Sequence, residues 1–412
     1  MVGFSGFHRI LRALRNPNYG IYTAGSSVSL IGTWMQRVAV GWLTWQLTES
    51  GAWLGAMAFA DLFPTVLIGP LAGAAADRWD RLKVMKVSQS LAMLQSLLLF
   101  GFTVAGLMTA ELLLALTLAL GIIIAINQPT RLALIPQLVP ADDLPAAVAI
   151  NSIIFNSARF VGPLVAGLII VVFDPAAAFA GNAITFVLFL LALSRIRLTQ
   201  ERPSRPAQKG GLLGEVRAGI GYAARHPGIA PLLFLLIVVC LCTRPFVELL
   251  PGFAEDVFKA GAGGLALLTA TVGVGAVAGG LWLAQRGGEG LTRIAVGSVL
   301  VLCAALLLFV ATEQLWVAVL ALGITGFCMV VGGVGTQTLL QLSVDSAMRG
   351  RVLSLYGLIF RGGPAVGALL MGGASEFVGL RWPLAVGALI AILAWAWIWS
   401  RRRRIAEVLE PR

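Results

Sequence analysis

The sequence predicts an all-α polytopic membrane protein, with twelve transmembrane helices in two pseudo-symmetric six-helix bundles. Three observations carry that expectation. The 412 residues are 58% hydrophobic and only 12% charged, with a mean hydropathy of +0.90, whereas a soluble chain carries about 25% charged residues. The apolar residues come in long blocks, unlike the short alternating segments of an outer-membrane barrel. The charges sit at the ends of those blocks, mostly on alternate sides, which is the pattern of a topology signal. The net charge of +11 therefore reads as membrane orientation, not as nucleic-acid binding.

A helix needs about 20 residues to cross a bilayer, and twelve stretches reach or approach that length: 19–47, 53–76, 84–107, 112–131, 145–173, 176–196, 229–250, 263–285, 292–311, 314–341, 351–375 and 382–400. The first follows a short basic segment (His8, Arg9, Arg12, Arg15). It lacks a small-residue cleavage site and reads as a retained helix. The second and third flank the charged turn GAAADRWDRLK at 73–83. The fifth and eleventh each carry a Gly-Pro pair, Gly162-Pro163 and Gly363-Pro364. The seventh holds Arg244, Pro245 and Glu248, with a bend expected at the proline. The eighth holds Gly273, Gly275 and Gly279, which predict close helix packing. Tryptophans at 34, 42, 45, 53, 316, 382 and 395–399 read as interface anchors. The four cysteines fall inside spans and read as packing residues, with no disulfide and no metal site.

With the N-terminus inside, only Lys259 and Arg381 of the 30 basic residues fall in outer turns. Those turns hold the acids Glu49, Glu111, Asp174, Glu255, Asp256, Glu313 and Glu376. This is the positive-inside rule. The segment 197–228, rich in Arg, Pro and Gly, divides an N-terminal bundle (1–196) from a C-terminal bundle (229–400), and 401–412 is a basic cytoplasmic tail. The halves repeat weakly. LVPADDLPAAVAINSIIFNSARFVGPLVAG (138–167) matches LSVDSAMRGRVLSLYGLIFRGGPAVGALLMG (342–372), with Asp142/Asp143 answered by Asp345 and one Gly-Pro by the other. Such a repeat lets two similar bundles rock about a central site.

Six charges lie within spans: Arg37, Asp61, Arg159, Arg244, Glu248 and Arg361. Each costs about 2.5–3.5 kcal/mol at the bilayer centre, so they must pair or face water. Arg37 with Asp61, and Arg244 with Glu248, are the expected pairs. Asp61 and Glu248, the acids within the spans, are the candidates for carrying a coupling proton; static structural bridges are the alternative. Ser152, Asn156, Arg159 and Pro163 form a polar stripe on one helix face, and Ser354, Gly357, Arg361 and Pro364 repeat it. Gln36, Asn127, Gln128, Gln337 and Gln341 are further cavity-lining candidates, or helix–helix hydrogen bonds. In the turn after the second span, Gly73 predicts a close approach of the second and eleventh helices. Asp77, with Arg78, Asp80, Arg81 and Lys83, predicts a charged latch on the inner face. No phosphate-binding Gly-x-x-x-x-Gly-Lys pattern and no nucleophile elbow is present, so neither a built-in ATPase nor an enzyme is expected.

The turn Gly73-x-x-x-Asp77-Arg78-x-x-Arg81 resembles the loop 2–3 motif of the major facilitator superfamily, with Asp80 where that motif usually has a second glycine. Arg159, Gly162, Pro163 and Gly167 resemble the helix-5 signature associated with its exporters, with Ala158 and Ala166 where glycine is usual. The stretches NPNYGIYTAGSSVSLIGTWMQRVAVGWLTWQLTES, PQLVPADDLPAAVAINSIIFNSARFVGP and QLSVDSAMRGRVLSLYGLI are similar to the group of enterobactin exporters and macrolide efflux proteins. The resemblance implies a bacterial inner-membrane transporter exporting an amphipathic small molecule in exchange for protons; a monomer with no cofactor and, from the charge pattern, both termini inside is the accompanying expectation. Import or facilitation of a metabolite, lysolipid flipping, and a non-transporting receptor or scaffold remain the alternatives; the polar stripes argue against the last, because only a cavity repays them.

Overall fold

The computed structural model describes residues 10–76, 79–198, 212–286 and 290–410, and among them it is helical with no strand. The long helices are α1 (Pro17–Thr48), α2 (Gly51–Ala76), α3 (Arg81–Val104), α4 (Ala110–Leu138), α5 (Leu144–Val172) and α6 (Pro175–Arg195). An amphipathic helix α7 (Leu212–Arg225) leads to α8 (Ile229–Cys242) and α9 (Phe246–Gly252). Then follow α10 (Gly261–Arg286), α11 (Leu291–Ala311), α12 (Leu315–Ser343), α13 (Ser346–Val378), α14 (Arg381–Ser400) and α15 (Arg402–Leu409). Short side-chain caps start several of them. Asp80 accepts from the Lys83 amide at α3, Thr109 from Leu112 at α4, and Asp174 from Ala177 at α6 with Pro175 in the first turn. Each satisfies an amide the helix leaves orphaned.

Eleven spans are long and apolar enough to cross a membrane among the described residues. The expected twelfth is α1, which is 32 residues long but too polar on average to count with them. Its polar residues are turned inward: Ser26, Ser29, Gln36 and Thr44 are all buried. Hydropathy averages over faces, so a helix with a polar buried face falls short of the threshold while still being long enough to span. The outward sides of the other helices are apolar, as at Leu168, Val171 and Phe173 on and after α5, exposed by 61% or more. The seventh expected span is broken. Between α8 and α9 the helix stops at Thr243–Pro245, and after α9 one wide turn, Phe253–Val257, carries it on to the next loop. Pro245 has no amide hydrogen to continue the ladder.

The chain divides into two compact units, Met1–Leu43 with Pro64–Gln208, and Thr44–Phe63 with Lys209–Arg412. In the first, α3 packs on α4 and α6, and α5 on α4 and α6. Near its N-terminus Arg12 donates to Asp143 (2.6 Å) and the Tyr19 hydroxyl to the Ala147 carbonyl (2.8 Å). In the second, α10 and α11 both pack on α12, and α8 packs on α13 and α14. There Tyr222, on the helix preceding α8, donates to Asp345 (3.1 Å). Each half thus ties the acid of its repeated segment to the chain ahead of its first long helix. The basic tail folds as α15, whose Ile405 and Leu409 are buried. Ser343 donates to the Leu409 carbonyl (2.7 Å), and the Glu410 carboxylate accepts from the Thr292 amide.

Close backbone approach in the second unit runs through glycines. A Cβ at Gly275 would lie 1.9 Å from the Gly323 carbonyl oxygen, and one at Gly326 would lie 2.0 Å from that of Val272. The glycine run of the eighth span is therefore the seam between α10 and α12. A Cβ at Gly73 would lie 3.9 Å from the Pro129 side chain of α4. Within the second unit the start of α2 meets α13 tightly: a Cβ at Gly55 would come 2.3 Å from the Ala368 carbonyl oxygen. There the Glu376 carboxylate accepts from the Ser50 hydroxyl (2.7 Å) and the Ala52 amide (2.9 Å).

The seam predicts a stability difference readable by thermal unfolding in detergent. Gly275→Ala and Gly326→Ala should each cost about 1–3 kcal/mol through overpacking. Gly101→Ala, where an added Cβ meets nothing within 4 Å, should be neutral or slightly stabilising. Equal melting temperatures for all three would contradict the close-packed seam.

Candidate functional site

In the first unit the candidate residues gather where α5 meets α1. Gly162 makes this possible, since a Cβ there would lie 2.5 Å from Trp34 Cβ and 2.9 Å from the Ile31 carbonyl oxygen. Arg159, one turn earlier on α5, is thereby carried over the Trp34 indole, with its guanidinium carbon 5.3 Å from the ring centroid. Arg37, one turn along α1, lies over the same ring at 5.0 Å. Phe155 meets Trp34 edge-on, with centroids 6.3 Å apart. Two cations over one indole are each attracted by its π face. Trp34 is thus no interface anchor. It sits near the middle of α1, half-buried, and Trp42 and Trp45 are buried as well. Trp316 and Trp382, 71% and 65% exposed near the starts of α12 and α14, do suit an interface. On α5, Ser152 and Asn156 are exposed, and the Asn156 amide donates to the Ser152 carbonyl (2.8 Å).

The second unit builds the counterpart from different residues. Gly363 packs on Cys240 and Gly367 on the Leu241 carbonyl and Pro245, so α13 lies against α8 and its break. Arg244, in that break, stacks over Phe360 with its guanidinium carbon 3.8 Å from the ring centroid. Phe360 stacks on Tyr356, with ring centroids 5.4 Å apart and planes 24° from parallel, and the Tyr356 hydroxyl donates to the Gly333 carbonyl of α12 (3.0 Å). Glu248 lies half-buried in the first turn of α9, and Arg361 is exposed on α13. Gly162-Pro163 and Gly363-Pro364 therefore play the same part in their own halves: each brings the fifth helix of its half onto the first.

The other candidates divide. Gln36 does not line a cavity. It is 0% exposed, its amide nitrogen donates to Gln95 (2.9 Å), and its oxygen accepts from Ser96 and Asn182. This buried network joins α1, α3 and α6. Gln95, Ser96 and Asn182 were absent from the sequence-based candidates, although they are conspicuous polar residues within apolar spans. Asn127 and Gln128 are half-buried on α4, Gln337 half-buried and Gln341 exposed on α12. The buried Asn127 amide nitrogen has no hydrogen-bond partner among the described residues, a condition that costs about 1–3 kcal/mol. Asp61 is half-buried on α2 and belongs to the second unit, whereas Arg37 belongs to the first. In the turn between α2 and α3, Asp77 and Arg78 lie outside the described residues. Asp80 serves as the cap of α3, Arg81 donates to the Ala133 carbonyl of α4 (3.2 Å), and Lys83 is exposed. One cavity of about 460 Å³ in the second unit is lined by Trp45, Glu49, Asp256, Glu376 and Arg381 among others, and by none of the candidates.

A family model described as transmembrane secretion effector matches residues 11–410. The chain is 26% identical over 172 residues to the staphyloferrin A transporter of Staphylococcus aureus, spanning 43% of that protein and 41% of this one. Over 376 residues it is 22% identical to macrolide efflux protein A of Streptococcus pyogenes, spanning 93% of it and 90% of this chain. Over 342 residues it is 27% identical to the enterobactin exporter EntS of Escherichia coli, spanning 77% of it and 80% of this chain. In fold it is similar to a crystal structure of a bacterial homolog of the human lysosomal transporter Spinster, with TM-score 0.72, 15% identity and full coverage of both chains. It is likewise similar to a peptide transporter of the POT family, with TM-score 0.73, 13% identity and 95% coverage of each. At these identities the solved structures speak to fold alone.

The burial of Gln36 separates packing from lining. Gln36→Leu should lower the melting temperature, because it strips partners from Gln95, Ser96 and Asn182 at about 1–3 kcal/mol. It should leave the affinity for transported substrate unchanged. A selective loss of affinity without loss of stability would return Gln36 to the lining residues.

Proposed function

The chain belongs to the transmembrane secretion effector family of the major facilitator superfamily, and on that premise we propose that it exports a small amphipathic molecule across the bacterial inner membrane by alternating access, in exchange for protons. That it is a multi-pass transporter of small molecules, not an enzyme, follows from the family. Export, the substrate and the coupling ion are the further steps. One observation carries them: Gly162 on Trp34 and Gly363 on Cys240 place a guanidinium against an aromatic ring at the same contact in each half. A polar group at mid-span is repaid by an aqueous path or a partner, and two repeats sharing it fit a device that rocks. Relatives named for siderophore and macrolide export, matched over most of their length, support the direction and the amphipathic character of the cargo.

In this reading the protein works as a monomer with both termini cytoplasmic. Asp61 and Glu248 carry the coupling proton. Each loads when its surroundings are apolar and releases when a guanidinium draws near, since burial raises a carboxyl pKa and a nearby cation lowers it. Arg37 is the proposed partner of Asp61, and Arg244 that of Glu248. The Gly-Pro bends of α5 and α13 are the places where the packed helices shift. The Gly73–Lys83 turn is the proposed inner latch, with Asp77 as its carboxylate.

Inside-out vesicles with an acid interior test the reading. A siderophore or a macrolide should accumulate inside, and a protonophore should collapse the gradient of substrate. Asp61→Asn or Glu248→Gln should cut pH-driven accumulation by about tenfold or more, as expected when an intramembrane ionisable group does the work. If the double Asp61→Asn/Glu248→Gln protein still responds fully to the pH gradient, neither acid couples transport. Equilibration indifferent to the gradient would mean a facilitator.

A further inference from the structure

We infer that this protein holds an anionic phospholipid of its own bilayer in the groove between α8 and α14, with Arg401 and Arg404 on the headgroup phosphate and the exposed stripe of α14 along an acyl chain. The inference goes beyond the transport reading and does not depend on what is moved or in which direction. It starts from one face of α14. Leu389, Leu393 and Trp397 recur on it at every fourth residue, all of them exposed. The same spacing continues to Arg401, exposed at the end of the helix, whose guanidinium carbon lies 4.2 Å from the centroid of the Trp397 ring. From Leu389 to Arg401 the helix advances about 18 Å, close to half of the ~30 Å hydrocarbon core, which is the depth of one leaflet. Across the groove α8 packs on α14. Its exposed Phe234 meets Trp397 edge-on with centroids 5.6 Å apart, and the exposed Ile237 stands one turn further along.

Arginines after a span can serve as a topology signal alone, and a chain end usually frays. Here the fold holds them in place. Ile405 and Leu409 of α15 are buried. A Cβ at Gly228, just ahead of α8, would lie 2.7 Å from the Leu409 side chain. Ser343 donates to the Leu409 carbonyl (2.7 Å). The tail helix is thus pinned at the start of α8, and it carries Arg404 exposed. Arg402 supplies the contrast. It stacks on Trp399 at 4.2 Å and donates to the Trp399 carbonyl (2.8 Å), and Trp399 lies against Gly297 of α11. That pair is half-buried and serves packing, whereas Arg401 and Trp397 are both turned outward. A stacked guanidinium carries its N–H donors in its own plane, the geometry that suits phosphate oxygens, and tryptophan favours the membrane boundary where phosphates lie. Stacking also fixes the side chain before a ligand arrives, so less entropy is lost on binding. Cations at one end of an apolar groove match a lipid with a negative headgroup. A soluble anion would leave the stripe unused, and a zwitterionic headgroup brings the arginines no net charge.

The test uses the full chain in detergent micelles and three probes: dioleoylphosphatidylglycerol, dioleoylphosphatidylcholine and glycerol phosphate, the headgroup without its chains. Native mass spectrometry counts the lipid retained, and a thermal melt reads stabilisation. Phosphatidylglycerol should be retained about tenfold or more over phosphatidylcholine. It alone should raise the melting temperature of the native protein, a readout that needs no variant. Glycerol phosphate should neither raise that temperature nor displace the lipid. Arg401→Gln and Arg404→Gln should each cut the preference about fivefold, and Arg401→Lys should keep part of it, retaining the charge but not the fork. Arg195→Gln is the control for charge alone. It removes an exposed arginine from the end of α6, the sixth helix of the other half, where Leu191 stands one turn back in place of a tryptophan, and it should leave the preference unchanged. Equal retention of the two lipids by the native protein would overturn the inference. So would a preference lost as fully in Arg195→Gln as in Arg401→Gln, or one that survives intact in a folded Arg401→Gln/Arg404→Gln protein. Displacement of the lipid by glycerol phosphate would make this a site for soluble phosphates and overturn the assignment to a lipid.

Discussion

A charge or hydrogen-bonding group held inside a bilayer must be satisfied by protein or by water, and this one constraint organises the molecule. At about 2.5–3.5 kcal/mol for each mid-span charge, the six such residues here would together cost more than the whole stability of a typical domain if nothing offset them. The protein meets the cost by bringing helices close. Glycine supplies the closeness: Gly162 sets α5 against α1, Gly363 and Gly367 set α13 against α8, and Gly275 with Gly326 zips α10 to α12. Without a hydrophobic drive between helices in lipid, such small-residue contacts are the means of association. They also decide which side chains meet.

The two halves solve the same problem with different residues. In the first, the ring is Trp34 of the first helix, and arginines come from that helix and the fifth. In the second, the ring is Phe360 of the fifth helix, and the arginine comes from the break in the first. The contacts ahead of the first long helix of each half show the same correspondence, with Arg12 on Asp143 and Tyr222 on Asp345. What persists between the repeats is the helix contact and the type of interaction, while the side chains that make it have been exchanged. The buried Gln36, Gln95, Ser96 and Asn182, which do not belong to this arrangement, satisfy one another in a local network.

Much of this was legible in the sequence, because membrane-spanning helices announce themselves by length and apolarity. The glycine run of the eighth span, the interruption at Pro245 and the pairing of the two Gly-Pro motifs could all be read from spacing. What spacing does not give is the rotational setting of a helix among its neighbours. Gln36 and Arg37 are adjacent, yet one is fully buried in a packing network and the other lies over the half-buried Trp34 ring. Trp34 looked like an interface anchor because tryptophan favours the membrane boundary, but Gly162 holds it to mid-helix chemistry. Such assignments depend on which helix packs where, which periodicity within one helix cannot specify.

The claim on which the account turns is that the polar stripe of α5 faces water, not packed protein or lipid. Cysteine accessibility measures this directly. With the four native cysteines replaced by serine or alanine, Ser152→Cys and Asn156→Cys would be exposed in native membranes to a charged, membrane-impermeant maleimide applied from the cytoplasmic side. Ile153→Cys and Leu168→Cys, exposed apolar positions on the same helix, serve as the lipid-facing comparison. The account predicts rapid labelling at 152 and 156 and little or none at 153 and 168. Equal silence at all four positions would contradict it, and would leave Arg159 and its neighbours as parts of a static scaffold.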